Sequence, residues 1–257
     1  MSTLFRSVDT ETHQLIVREM NNTGYSCVAN FLTQDQLTSL QEQVRIDAEK
    51  HKGHYFAHHG GDAIANSLLG ILGAAPEFRE MLAGIHQTGT GKASFNDAIF
   101  QVLRCVQGDS GRRESNCFHY DASLLTVLLP IEIPKNGVDC GDLIIFPNLR
   151  RVRSNVLFNV LEKALLQNAL SRKLISAAIR RNLLQPKKLQ LVPGNLYLFW
   201  GYRTLHANEP CDPANRRATA IFHYGDPHAG SLATRLILKL NQRRARRATA
   251  AGAHPAA

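Results

Sequence analysis

The tightest constraint on the fold is a set of short β-patterned runs that place polar, chemically useful side chains two residues apart. Cys117 to Leu129 reads as an apolar strand, in which His119 and Asp121 fall on one face and Tyr120 on the other. Pro193-Gly194-Asn195 forms a turn into a second strand through Trp200, with a further short turn before His206. Arg216 to Tyr224 is a third strand, on which Arg217 and Thr219 share a face while Arg216 takes the solvent side. The β pattern spans residues 95–147 and 189–225, which predicts an α+β chain with a mainly β core.

Two imidazoles and one carboxylate on one side of an ion leave the remaining octahedral positions open. That donor set suits non-heme Fe(II) oxygen chemistry better than structural zinc, which prefers a closed tetrahedron. A bare His-x-Asp is common, and its ordinary reading is a structural hydrogen bond. The distal His206 and the Arg217-x-Thr219 pair that follows it move the balance to a metal site formed by His119, Asp121 and His206. The guanidinium fork of Arg217 and the hydroxyl of Thr219 can together hold a carboxylate. The competing role for Arg217 is a surface ion pair, for instance with Asp212. Histidines 51, 54, 58 and 59 lie in a Gly-broken segment with no further ligand spacing beyond Asp62, so they read as a loop at a rim. Cys117 and Cys140 read as core residues.

In these motifs and their order the chain resembles the Fe(II)/2-oxoglutarate dioxygenase superfamily, in its phytanoyl-CoA-hydroxylase-like and prolyl-hydroxylase-like branches. The likeness also covers Met20 to Leu32 with the helix start at Thr33, the strand Gln101 to Gly108 ahead of the His-x-Asp, and the glycine-containing strand Cys140 to Pro147. It implies a double-stranded β-helix of the jelly-roll or cupin kind, whose closure brings His206 to His119, with helices at the N-terminal side. It further implies Fe(II) on His119, Asp121 and His206, and the far carboxylate of 2-oxoglutarate on Arg217 and Thr219, with Arg104 and Asn116 as additional cosubstrate contacts. O2 would be the oxidant and ascorbate an accessory reductant. The implied reaction hydroxylates an unactivated C–H and releases succinate and CO2, and Asp121 as a ligand excludes halogenation. One departure stands out: Cys105 occupies the position after Arg104 where many relatives carry Tyr.

The net charge of +9 is unevenly placed. Residues 150–188 carry +9 and residues 228–257 carry +6, which leaves −6 on the rest of the 257-residue chain. Val156 to Leu184 has apolar residues at helical spacing flanked by basic pairs, with a break near Asn168 to Ser171, and predicts a basic helical insertion over about 149–188. A second basic helix from Leu232 to Arg247 would end in a disordered tail. On this reading residues 1–230 form one dioxygenase domain and 231–257 a basic extension. Other helices are predicted from Thr33 to Lys50 and from Pro76 to Gly84. The basic helices either pack on the barrel exterior or dock on an anionic membrane surface. Nucleic acid is disfavoured, because Phe158 is the one aromatic residue in the two basic segments. Five cysteines without a Cys-x-x-Cys pair, no secretory signal and no long apolar run predict a cytoplasmic protein, at most peripheral at the inner face of a membrane. The substrate reading is a lipid-linked or otherwise anionic molecule; the alternatives are a soluble small-molecule hydroxylase with the insertion as a lid, and a non-catalytic binding barrel. The oligomeric state is not written in these motifs.

Overall fold

Strict alternation builds the centre of the fold. Along β9 (Arg216–Tyr224), Ala218, Ala220, Phe222 and Tyr224 enter a hydrophobic core, whereas Arg217, Thr219, Ile221 and His223 turn to the opposite face. On β3 (Phe100–Gln107), Leu103 and Cys105 join the same core and Arg104 opposes it; on β4 (Leu125–Glu132), Leu125, Val127 and Leu129 do so, with Thr126 and Leu128 opposed. The computed structural model describes residues 4–137, 139–152 and 168–227. With β1 (Ser26–Val28), β2 (Phe56–His59) and β7 (Leu196–Phe199), these strands form an antiparallel six-stranded sheet in the order β1-β7-β4-β9-β3-β2.

A three-stranded sheet, β6-β5-β8, combines β6 (Lys187–Leu189), β5 (Leu143–Phe146) and β8 (Leu205–Asn208). Leu143, Ile145 and Leu189 of this sheet pack against Leu128, Tyr197 and Phe199 of the larger one. The outer face of the large sheet is covered by α1 (Thr10–Asn22), α2 (Gln34–Lys50), α3 (Leu68–Ala74) and α4 (Pro76–Thr90), through residues such as Met20, Leu40, Leu69, Phe78 and Leu82. A short helix, α5 (Gly108–Arg112), follows β3. On the outer face of the small sheet, Ile175 and Ile179 of α6 (Ala169–Arg180) lie against Phe118, Ile144 and Phe146.

Several sequence expectations are corrected. His119 and Asp121 are not part of one strand running to Leu129. His119 bridges to His206 beside the small sheet, and the chain then bends through residues 122–124 to start β4 in the large sheet. The helix α1 was not anticipated, although Asp9 caps it and His13, Ile16, Val17 and Met20 give it a buried stripe. Helix α4 does not stop at Gly84, because that glycine lies against the ring of His13 on α1; it continues to a left-handed Gly91 at φ 73°. The segment around histidines 51–59 is not all loop, since β2 pairs along β3 from Phe56↔Cys105 to His59↔Val102. Asn168 caps α6 by accepting from Ser171 N–H at 2.8 Å, so a helix begins where the sequence places a break. The remainder of the insertion, 153–167, and the second basic helix with its tail lie outside the described residues. No helix among the described residues is long and apolar enough to cross a membrane.

Candidate active site

His119 and His206 exchange both backbone hydrogen bonds, each N–H to the other's carbonyl at 3.0 Å. Such a pair places the two side chains on one face, and the rings sit 4.3 Å apart between centroids. Asp121 is fixed independently: its N–H donates to Gly201 O at 3.0 Å, on the turn that leads to His206. The turn and the His-x-Asp segment are clamped by Arg150, whose guanidinium lies between the rings of Tyr120 at 4.0 Å and Tyr202 at 4.2 Å. Tyr120 thus faces away from its neighbours' carboxylate and imidazole, as the alternation predicts. Arg150, counted by charge with the basic insertion, is 9% exposed and structural.

The donors converge. His119 Nε2 lies 3.5 Å from Asp121 Oδ1, and His206 Nε2 lies 3.5 Å from Asp121 Oδ2. One ligand atom from each of the three residues falls within 4.8 Å of the other two. Backbone carbonyls assign the tautomers: His119 Nδ1 donates to Cys117 O at 2.7 Å and His206 Nδ1 to Thr204 O at 3.0 Å. With Nδ1 held by a backbone carbonyl, each imidazole presents its Nε2 to the carboxylate, which is how metal-binding histidines are oriented. Burial pushes His206 down to about 4, so it is a neutral donor at ordinary pH. Burial opposes ionisation of Asp121, yet His206, His223 and His119 around it hold the carboxyl well below the usual range. For His119 burial works downward, but the neighbouring carboxylate prevails and raises it.

The structure adds residues that the motif alone did not reveal. Thr126 Oγ1 donates to Asp121 Oδ2 at 2.5 Å, and His223 Nδ1 lies 3.9 Å from that oxygen and 3.0 Å from Ser123 Oγ. His223 was findable, since it shares the alternation of Arg217, Thr219 and Ile221. Thr126 depended on the bend after Asp121, which no periodicity announces. Gly201 is required by space: a methyl group there would run into Thr126 Oγ1 and Asp121 Oδ2.

Deeper in the same pocket, Arg217 is 1% exposed. It donates to Thr219 Oγ1 at 3.3 Å and to Asn208 Oδ1 at 3.1 Å, while its Nε is buried without a partner. Among the described residues no carboxylate lies within ion-pair distance of it, and the surface pairing role falls to its neighbour, Arg216, 2.7 Å from Glu132. Burial first, and Arg104 second, pull Arg217 down to about 10, which leaves it cationic at neutral pH. Gly141, at φ 71°, makes room for the arginine arm; a Cβ there would stand 2.6 Å from Arg217 Cδ.

Arg104 lies directly across from Thr219 in the β3–β9 ladder and also lines the pocket. Its Nη2 reaches Glu114 Oε2 at 3.5 Å, and its Nε is buried with no partner. Cys105, by contrast, points into the helix-covered core, where burial pushes its thiol up to about 12. Of the predicted contacts, Asn116 is not brought to the pocket. It sits at φ 55°, its N–H donates to Asn208 O at 2.8 Å, and it lies on an outer groove beside Arg172. The histidines of β2 and its approach gather no second metal site among the described residues; His51 stacks on Phe56 and His58 lies 3.5 Å from Asp47.

The whole chain can be set beside solved structures. A prolyl 4-hydroxylase from Pseudomonas putida superposes with a TM-score of 0.51 at 14% identity, covering 83% of this chain and 98% of its own. A prolyl hydroxylase from Trichoplax adhaerens, solved with a hypoxia-inducible-factor peptide, gives 0.52 at 16% identity and covers 84% and 90%. Prolyl hydroxylases share this fold. So does SnoN, a non-heme α-ketoglutarate-dependent epimerase of nogalamycin biosynthesis, with a TM-score of 0.55, 11% identity and coverage of 85% and 82%. No family model and no curated protein matches the sequence. At these identities the likeness is one of fold alone.

The residues present fit a ferrous ion and a dicarboxylate. Two neutral nitrogen donors and one carboxylate approach from one side, which is the facial set of non-heme iron. A buried guanidinium that lacks a carboxylate partner among the described residues meets the chemistry of a cosubstrate's far end.

Proposed function

We propose that this protein is an Fe(II)- and 2-oxoglutarate-dependent dioxygenase that hydroxylates a C–H bond of a small organic substrate bearing an anionic group, and that its two sheets are the halves of a double-stranded β-helix. The observation that carries the reading is the convergence of His119, Asp121 and His206 within 4.8 Å, in one pocket with the buried cation Arg217. Bound together, ferrous iron and 2-oxoglutarate supply the oxidising power, O2 being consumed as the cosubstrate is decarboxylated to succinate and CO2.

The chain's own residues prepare that chemistry. His119 and His206 offer Nε2 because carbonyl groups hold their other nitrogens protonated. Thr126 orients Asp121 through Oδ2 and limits its rotation. Arg217, steadied by Asn208, neutralises the far carboxylate of 2-oxoglutarate, and Thr219 adds a hydroxyl to the same group. The apolar walls Leu128, Leu143 and Ile221 keep water from that end. Arg104 supports the anionic substrate class, because it lines the same pocket with only a long 3.5 Å contact to Glu114 while Arg217 already serves the cosubstrate. Asn116 has no part in this scheme.

The test is spectroscopic and needs no substrate. Anaerobic addition of Fe(II) and then 2-oxoglutarate should produce a visible charge-transfer band; Asp121→Ala should lack it, and Arg217→Ala should show it only at higher 2-oxoglutarate. Absence of the band at saturating 2-oxoglutarate in the wild-type protein would return the fold to a non-catalytic binding role.

A further inference from the structure

Cys140 and Cys211 face each other across an isolated antiparallel bridge. Gly141 N–H donates to Pro210 O at 2.9 Å and Asp212 N–H to Asp139 O at 2.9 Å, so the hydrogen bonds flank the cysteine pair and do not join it. In an antiparallel ladder this is the closely spaced position, with Cα atoms about 4.5 Å apart and side chains in contact on one face. A disulfide accepts Cα separations from about 4.4 to 6.8 Å, so the backbone already meets its requirement. Both thiols are free and carry only weak contacts, Cys140 Sγ to Gly137 O at 3.4 Å and Cys211 Sγ to Asp212 O at 3.7 Å. The remaining cysteines have no such geometry: Cys27 lies on β1, Cys105 in the helix-covered core and Cys117 in the approach to His119.

We propose that Cys140 and Cys211 form a redox-active dithiol that hydrogen peroxide oxidises to a disulfide, clasping the segment before β5 to the segment before β9. Cys140, at 8% exposure against 2% for Cys211, is the thiol that meets the oxidant. Its thiolate attacks one peroxide oxygen, the O–O bond breaks, and a sulfenic acid and one water result. The Cys211 thiolate then attacks that sulfur and displaces a second water, so two thiols lose two protons and two electrons and the peroxide is reduced to two waters. Burial pushes the Cys211 thiol up to about 11, which makes the second step the slower one. The clasp ties together positions 140 and 211, restricting the unfolded chain between them. The proposal stands apart from the oxygenase reading, and its test requires neither iron nor turnover.

The full-length, metal-free protein is reduced, desalted and treated with a small excess of hydrogen peroxide. The expected result is a mass loss of about 2 Da, a cross-linked peptide joining Cys140 to Cys211, and reversal by dithiothreitol. The oxidised form should melt about 5 °C or more above the reduced form. Cys140→Ser and Cys140→Ala should each abolish the mass loss and the melting shift. An unchanged mass, oxygen adducts on single cysteines, or a cross-link through Cys27, Cys105 or Cys117 would overturn the assignment. The wild-type mass result decides the matter even where a variant folds poorly.

Discussion

Gly201 shows how a residue with no side chain governs the candidate site. Its hydrogen position faces both Thr126 Oγ1 and Asp121 Oδ2, so the carboxylate and its orienting hydroxyl occupy the volume a methyl group would take. Gly201→Ala should therefore lower affinity for a divalent ion such as Mn(II) by about 10- to 100-fold, the usual cost of disturbing an outer-shell partner. Calorimetric titration of the metal-free protein measures this, with far-UV circular dichroism to show that the fold persists; unchanged affinity would separate Asp121 from the metal role. The candidate donors His119, Asp121 and His206 were legible from their motif and order, and the shared face of Arg217 and Thr219 from strand alternation, which is a local property. Thr126, Asn208 and Gly201 were not, because each acts through a neighbour that is distant in the backbone path or across a bend. Asn116 shows the reverse: close in sequence to His119, it is turned to another surface by its left-handed backbone.

At the level of elements, legibility followed the strength of local signals. Helix α2 begins where the capping Thr33 predicts, and the structure completes the cap reciprocally: Gln36 N–H donates to Thr33 Oγ1 at 3.2 Å and Thr33 N–H to Gln36 Oε1 at 2.9 Å. Thr33→Ala should cost about 1 kcal/mol of stability, read from the urea midpoint at constant slope. Because α2 covers the large sheet on the side away from the pocket, metal affinity should not change with it. Glycine misled the reading of α4, since Gly84 serves a close helix crossing rather than a stop. The apolar run from Cys117 to Leu129 misled it too: hydrophobicity is continuous there, but the backbone changes sheets between His119 and Leu125. Residues buried on both faces leave no periodicity to mark such a bend.

For the whole molecule, the layered arrangement makes buried histidines a source of pH sensitivity. His13 holds α1 against Gly84 of α4, and His86 stands edge-on to Tyr224 at 5.7 Å between ring centroids. Burial lowers both below 6.5, so the unfolded chain binds protons that the folded chain refuses. Above about pH 6.5 both states are neutral and nothing is lost; as pH falls below the unfolded value toward the depressed folded values, stability declines. The urea midpoint of the metal-free protein should thus be lower at pH 5.5 than at pH 7.5, and His13→Leu, which removes a buried unpaired nitrogen, should flatten part of that slope. A slope unaltered by His13→Leu would assign the sensitivity elsewhere. By itself the sequence determined the β-rich core, the candidate donor residues, the cation at Arg217 and the helix start at Thr33, all of which depend on periodicity or on motifs a few residues long. The meeting of His119 with His206, the Arg150 clamp, the inward turn of Arg104 and the opposition of Cys140 to Cys211 were decided only by tertiary structure. They depend on how two sheets register against each other, and that register is set by packing and hydrogen bonds between segments far apart in the chain.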